Sequence, residues 1–301
     1  MKPVLYMQNS KEYGSYNYSA KGESKTIASS GCGPTCAAMV IQTLRPDIKV
    51  TPITTANWSM AHGYKALNQG TFYTYFVPQF KAYGLSCTRL NTDNIYHKPN
   101  SDIHVTAKKK LKNGDILIAC MGVGNWTKAG HFIVAYKVDG SNYVYINDPA
   151  STAQSRTKAK WSTFANDVKY YFCISTGAKV TSKLSGNLYK YPDIKKGKHC
   201  ALPKNAATRH IYDLGNGWSI CNYDDKIGYV KNSILNKELS VYKKATVTKV
   251  AALRKSNSKT SKKIESVPTG TKVKVITKRK YWTNVIVNGV RGYIATSKLK
   301  F

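Results

Sequence analysis

Between Cys32 and Leu44 the apolar residues Ala37, Val40, Ile41 and Leu44 recur every three to four positions, the spacing of one helical face. Pro34 suits the first turn of that helix, where a backbone N–H has no intrahelical acceptor. The run "RPD" after Leu44 ends it. Residues 52–84 mix small, polar and aromatic residues and predict two more short helices with a glycine break. From about residue 103 the period changes. "DILIACM", "HFIVAYKV", "YVYIND" and "KYYFCIS" are short β-rich runs separated by Gly, Asn and Asp, as expected of an antiparallel sheet. Helices followed by strands predict an α+β domain over residues 1–178.

Beyond Gly177 the helical period disappears and a repeat takes its place. Trp218 precedes Gly228-Tyr229-Val230 by ten residues, and Trp282 precedes Gly292-Tyr293-Ile294 by the same ten. The two tryptophans are 64 residues apart, and a Ser…Leu end closes each copy. An aromatic, a turn and a Gly-Tyr-apolar strand at one period form an internal repeat. Each copy reads as a small β-barrel, at 182–240 and 244–301, with the linker around 236–246. "RKSNSKTSKK" (254–263) reads as an exposed loop of the second copy.

Composition narrows the class. Hydrophobic residues make up 42% of the 301, which excludes a disordered chain. No apolar run approaches the roughly 18 residues needed to span a bilayer. The start, "MKPVLYMQNS", has no charged-then-apolar leader and no small-residue cleavage site, so the expectation is synthesis without a secretory signal. The net charge of +32 comes from 47 Lys and Arg against 15 Asp and Glu. Residues 1–179 contribute +12 and residues 180–301 contribute +20. Such an excess opposes compactness and points to an anionic partner: nucleic acid, anionic lipid or the polymers of bacterial walls. The aromatics fall mostly within strand-like runs, where half should face the core, and this argues against a base-stacking surface. Seven cysteines at irregular spacing are no disulfide framework, so the thiols are expected to be reduced. Cys32 and Cys36 have no second close Cys or His pair, so no metal or other cofactor is expected.

A thiolate is favoured at a helix N-terminus, where unpaired N–H groups and the macrodipole supply positive potential. "SSGCGPTCAAMV" places Cys32 there, with Gly31 and Gly33 leaving room for a substrate. The alternative is an ordinary core cysteine after a tight turn. Cys36, one turn on, reads as core. A nucleophile of this kind needs a base. Of the six histidines, only His131 opens a β-run after a Gly-containing loop; His97 and His104 fall in polar loops. A hairpin joining "HFIVAYKV" to "YVYIND" across "DGSN" returns Asp148 to the side of His131 by antiparallel geometry. Asp148 could then orient the imidazole, while Asn147 points to the other face. The Cys32 backbone N–H is one oxyanion donor, and Gln8 is a possible second, or simply a solvated residue.

"Y-x-Q" near the start, "SSGCGPTCAAMV", "GHFIVAY" and "YVYINDP" together resemble the papain-like cysteine peptidases related to bacteriocin-processing peptidases. The resemblance covers residues 4 to about 175. It implies Cys32 as nucleophile, His131 as base, Asp148 as orienter and Gln8 as oxyanion donor. The repeats resemble bacterial SH3-type wall-binding domains, although the first copy has "ALPKN" where "N-V-R" is usual. The combination resembles a bacteriophage endolysin. That implies a monomeric peptidoglycan hydrolase of Gram-positive walls, held in the host cytoplasm until release and bound to peptidoglycan and anionic wall polymers. Three other readings remain open: a non-catalytic basic wall-binding protein, an N-acetylmuramoyl-L-alanine amidase with the same residues, and a leader-processing peptidase. The last is usually fused to a transporter, and this chain shows no membrane span.

Overall fold

The computed structural model describes residues 1–236, 243–278, 281–288 and 290–301. These form two compact units, Met1–Leu235 and Asn236–Phe301. The expected linker falls largely on 237–242, outside the described residues. Among the described residues no helix is long and apolar enough to cross a membrane.

The first unit opens with a short helix α1 (Ile27–Ser30), followed by α2 (Cys32–Leu44), α3 (Pro52–Ala61) and α4 (Phe76–Ala82). The helical spacing after Cys32 and the two later helices are as the sequence predicts. α2 is buried along nearly its whole length. It stops at Arg45 because Pro46 disfavours helical geometry in the residue before it; Arg45 has φ −127° and ψ 65°.

The sheet comprises β1 (Cys87–Arg89), β2 (Ile116–Met121), β3 (His131–Val138), β4 (Tyr143–Asn147), β5 (Lys158–Lys160) and β6 (Val168–Ile174). Its order is β1-β6-β2-β3-β4-β5, antiparallel throughout. β2 is buried at every position because both of its faces are covered. Ile116, Ile118 and Cys120 pack with α2, and Leu117, Ala119 and Met121 join a second core on the opposite face. That second core includes α5 (Asp102–Lys112) and α7 (Trp161–Asp167), which the sequence reading missed together with the short α6 (Gln154–Thr157). α5 shows why. Only His104, Ala107 and Leu111 of its residues are buried, and four lysines obscure so sparse a stripe. His104 therefore lies on a helix, not in a loop. It is buried, with Nδ1 3.0 Å from the Tyr171 hydroxyl.

The same unit continues with β7 (Ala178–Ser182), β8 (Gly186–Tyr189), β9 (Lys198–Leu202), β10 (Ala207–Asp213), β11 (Trp218–Tyr223) and β12 (Lys226–Lys231). β13 (Leu235–Asn236) ends this series. The second unit contains β14 (Lys243–Val247), β15 (Ala251–Arg254), β16 (Lys263–Val267), β17 (Lys272–Thr277), β18 (Trp282–Val287), β19 (Val290–Ala295) and β20 (Leu299–Lys300). The two sheets run β9-β8-β12-β11-β10-β7-β13 and β16-β15-β19-β18-β17-β14-β20, the same order strand for strand. The repeat is therefore a repeat of topology.

The expected closed barrels are not observed, because each sheet has an open order among the described residues. Its last strand is only two residues long, too short to carry a closing ladder.

The repeated Gly-Tyr step has a steric cause. Tyr229 pairs with Tyr189 on β8, and Tyr293 pairs with Arg254 on β15. A Cβ on Gly228 would lie 2.5 Å from the Tyr189 carbonyl oxygen, and one on Gly292 would lie 2.8 Å from that of Arg254. Only glycine lets the strands approach this closely. Gly292→Ala is expected to destabilise the second unit by about 1–3 kcal/mol through overpacking. Calorimetry should show its unfolding transition at lower temperature, with that of Met1–Leu235 unmoved.

Candidate active site

α1 runs almost directly into α2, with only Gly31 between them. A Cβ on Gly31 would meet Ile27 Cα at 2.7 Å, and one on Gly33 would meet Thr71 Oγ1 at 2.7 Å. Both glycines are thus required by the protein's own packing, where the sequence reading had assigned them to substrate approach. Cys32 becomes the first residue of a 13-residue helix. Its N–H belongs to the first turn, which has no intrahelical partner.

β3 begins at His131, and the β3–β4 hairpin brings Asp148 back beside it. Asp148 Oδ1 accepts a hydrogen bond from His131 Nε2 at 2.7 Å, and the imidazole is also hydrogen-bonded to the Cys32 thiol. Asp148 is wholly buried, while Cys32 and His131 are each 8% exposed. Asp148 also accepts from the Ala150 N–H at 2.8 Å and from Arg156 Nε at 2.6 Å. Asn147 turns away and donates to the Pro3 carbonyl at 3.0 Å.

These contacts set the charges. Burial pushes the Cys32 thiol up, but the hydrogen bond and charge of His131, with the Phe132 and Gly33 N–H groups, outweigh it. The thiol therefore titrates below its ordinary value. Burial would lower His131, yet its bonds to Asp148 and Cys32 raise it to about 9. Burial likewise opposes the Asp148 carboxylate, and His131, the Ala150 N–H and Arg156 together hold its pKa below the usual value. The favoured state is thiolate–imidazolium–carboxylate. Cys36 is the contrast. Fully buried, its thiol donates to the Phe132 carbonyl at 3.2 Å and titrates well above the ordinary range.

The rate of Cys32 alkylation should accordingly rise as the thiolate forms below the ordinary thiol range. Any step needing both thiolate and imidazolium should decline as pH rises past about 9, where His131 loses its proton. A single ionisation at the ordinary thiol value would contradict this pairing.

A cleft of about 520 Å³ lies over Cys32 and His131. Ser29 and Ser30 of α1, residues 66 and 68–73 and residues 129–130 contribute to its walls. Phe72 and Tyr73 are 49% and 39% exposed. Gln8 does not line this cleft. Its backbone N–H donates to the Pro149 carbonyl at 2.8 Å, and its Nε2 donates to the Ala28 carbonyl at 2.7 Å. Its Oε1 is buried with no hydrogen-bond partner among the described residues.

The structure thus unites Cys32, His131 and Asp148 and sets the Gln8 amide against α1. Arg156, which holds the second carboxylate oxygen, was not anticipated. Its backbone carbonyl accepts from Trp126 Nε1 at 3.0 Å. An arginine eight residues after the aspartate, on a polar segment, gives no periodic signal.

A thiol at the tip of a buried helix, facing a histidine and carboxylate on an antiparallel sheet, is the arrangement of a papain-like peptidase domain. The chain belongs to the Peptidase_C39 like family, which it matches over residues 5–178. Residues 249–300 match the bacterial SH3 domain. No curated protein matches the chain. Similar solved structures include NlpC2 from Trichomonas vaginalis, at 16% identity and a TM-score of 0.21, covering 41% of this chain and 47% of that one. An NlpC/P60 family protein from Bacillus cereus has 12% identity and a TM-score of 0.18, covering 41% and 56%. The chain thus spans about half the length of each. Ly7917, with a hydrolysis product of MDP, has 12% identity and a TM-score of 0.22, covering 88% and 85%.

Proposed function

We propose that this protein is a peptidoglycan hydrolase of the endolysin type that cleaves an amide bond in Gram-positive walls. The observation that carries the reading is the Cys32–His131–Asp148 line opening into a cleft, on a chain that also bears a bacterial SH3 domain. The Cys32 thiolate attacks the carbonyl carbon, and the C–N bond breaks as His131 gives its proton to the leaving amine. Water, deprotonated by His131, then attacks the acyl-thioester and releases the acid and the thiolate. Asp148 keeps the imidazole in the tautomer that presents its other nitrogen to Cys32. The two topologically equal repeats, both read as SH3 domains, hold the enzyme to peptidoglycan and anionic wall polymers, which the net charge of +32 favours.

The first-turn N–H of Cys32 and the Gln8 amide receive the oxyanion, with Nε2–H turning from Ala28 as charge develops. Gln8→Ala is expected to lower kcat by about 10²–10³-fold with KM little changed. A loss confined to thermal stability would leave Gln8 as a strut between α1 and Pro149.

The deciding experiment is turbidity loss of purified walls with quantification of newly freed amino groups. Clearing with amine release supports the reading, and the residue bearing the new amine separates endopeptidase from amidase. Binding without clearing across a panel of species overturns it in favour of a wall-binding protein.

A further inference from the structure

The cleft is bordered by two lysines, Lys25 ahead of α1 and Lys169 on β6, and, among the described residues, by no aspartate or glutamate. Both lysines are half-buried, and neither forms an ion pair with a carboxylate among the described residues. Lys65 shows that the fold does neutralise a lysine where the charge serves only structure. It is paired with Glu23, both side chains at most 3% exposed. Its ammonium also donates to the carbonyls of Ala66 and Gln69 at 2.7 and 2.8 Å, holding the wall segment in place.

Around Lys169 the positive character is reinforced. Arg89 lies 4.5 Å over the Tyr170 ring, which meets the Tyr73 ring at 4.7 Å. Burial pushes the Cys120 thiol in the cleft wall up to about 12, and the charges of Lys169 and Arg89 act against that rise. The His131 imidazolium is offset by the Cys32 thiolate beside it, so among the described residues Lys25 and Lys169 give the cleft lining its cationic balance. A cleft of one sign with low-dielectric walls concentrates counter-charged ligands, by about 10–10³-fold. It repels an ammonium equally.

We propose that the cleft selects an acidic peptide, one with a free carboxylate within about a residue of the bond cut, and that Lys25 and Lys169 are its counter-charges. This rests on Cys32 being the nucleophile, and it adds the class of substrate.

The test compares alkylation of Cys32 by iodoacetate and by iodoacetamide, each referenced to free cysteine thiolate at the same pH. Cys32→Ala serves as blank for the other thiols. The wild-type protein should favour the anionic reagent by about 10-fold or more over the reference, and added salt should reduce that preference. The double variant Lys25→Gln/Lys169→Gln should lose most of it while its iodoacetamide rate, which reports an intact site, is unchanged. With peptides released from walls, the double variant should raise KM for the acid form over its amide counterpart and leave kcat alone. Equal preference in wild type and double variant overturns the proposal. An unreactive Cys32 overturns the nucleophile reading with it, whereas failure to clear walls with charge preference intact overturns only the wall-hydrolase reading.

Discussion

Cys32→Ala is expected to abolish wall hydrolysis, by at least about 10⁴-fold, while the protein still folds and binds walls. The size follows from the site: removing Sγ leaves no other group able to form the acyl intermediate. Cys36, one turn on, cannot substitute, because its thiol is held against the Phe132 carbonyl and titrates well above the ordinary range. Cys36→Ala should therefore keep most of the activity, with only a packing loss. Turbidity assays on both variants, with circular dichroism as a fold control, decide the matter. If the two variants lose activity equally, or if EDTA abolishes clearing and zinc restores it, a thiolate mechanism at Cys32 is wrong.

The second large effect is expected at Asp148. Asp148→Asn should lower kcat by about 10²–10⁴-fold with a smaller change in KM, because the buried neutral amide no longer fixes the imidazole tautomer. It also withdraws the carboxylate that helps raise His131 to about 9. The alkaline limb of the pH profile should therefore move to lower pH. The sign is definite: a weaker counter-charge lets His131 lose its proton earlier. Arg156 lies against the same carboxylate, so the variant leaves that guanidinium with a weaker partner, and some loss of thermal stability should accompany the kinetic effect. A variant with wild-type pH dependence would show that Asp148 does not act through His131.

Much of this arrangement was legible along the chain because it depends on near neighbours. The helix after Cys32 is a matter of spacing and of one proline in a permitted place. The proximity of His131 and Asp148 follows from a four-residue turn between two strands, and the 2.7 Å contact is its outcome. The repeat of Trp and Gly-Tyr was visible as a period, and the identical strand order of the two sheets shows that a shared backbone underlies it. What was missed had weak periodicity or distant partners. α5 carries its apolar stripe among lysines, and β1 and β5 are only three residues each.

The sequence alone therefore determined the place of Cys32 at a helix tip, the hairpin that pairs His131 with Asp148, the two-copy β-region and the cationic balance. Those features arise from local periodicity, turn chemistry, a repeat along the chain and overall composition, none of which needs the packed structure. The open order of the sheets, the Arg156 contact to Asp148, the seating of Gln8 against α1 and the acid-free lining of the cleft were decided by tertiary structure. Each depends on which segments meet after the chain has collapsed. Lys25 and Lys169 are 144 positions apart in the chain, and no local pattern marks them as lining one cleft.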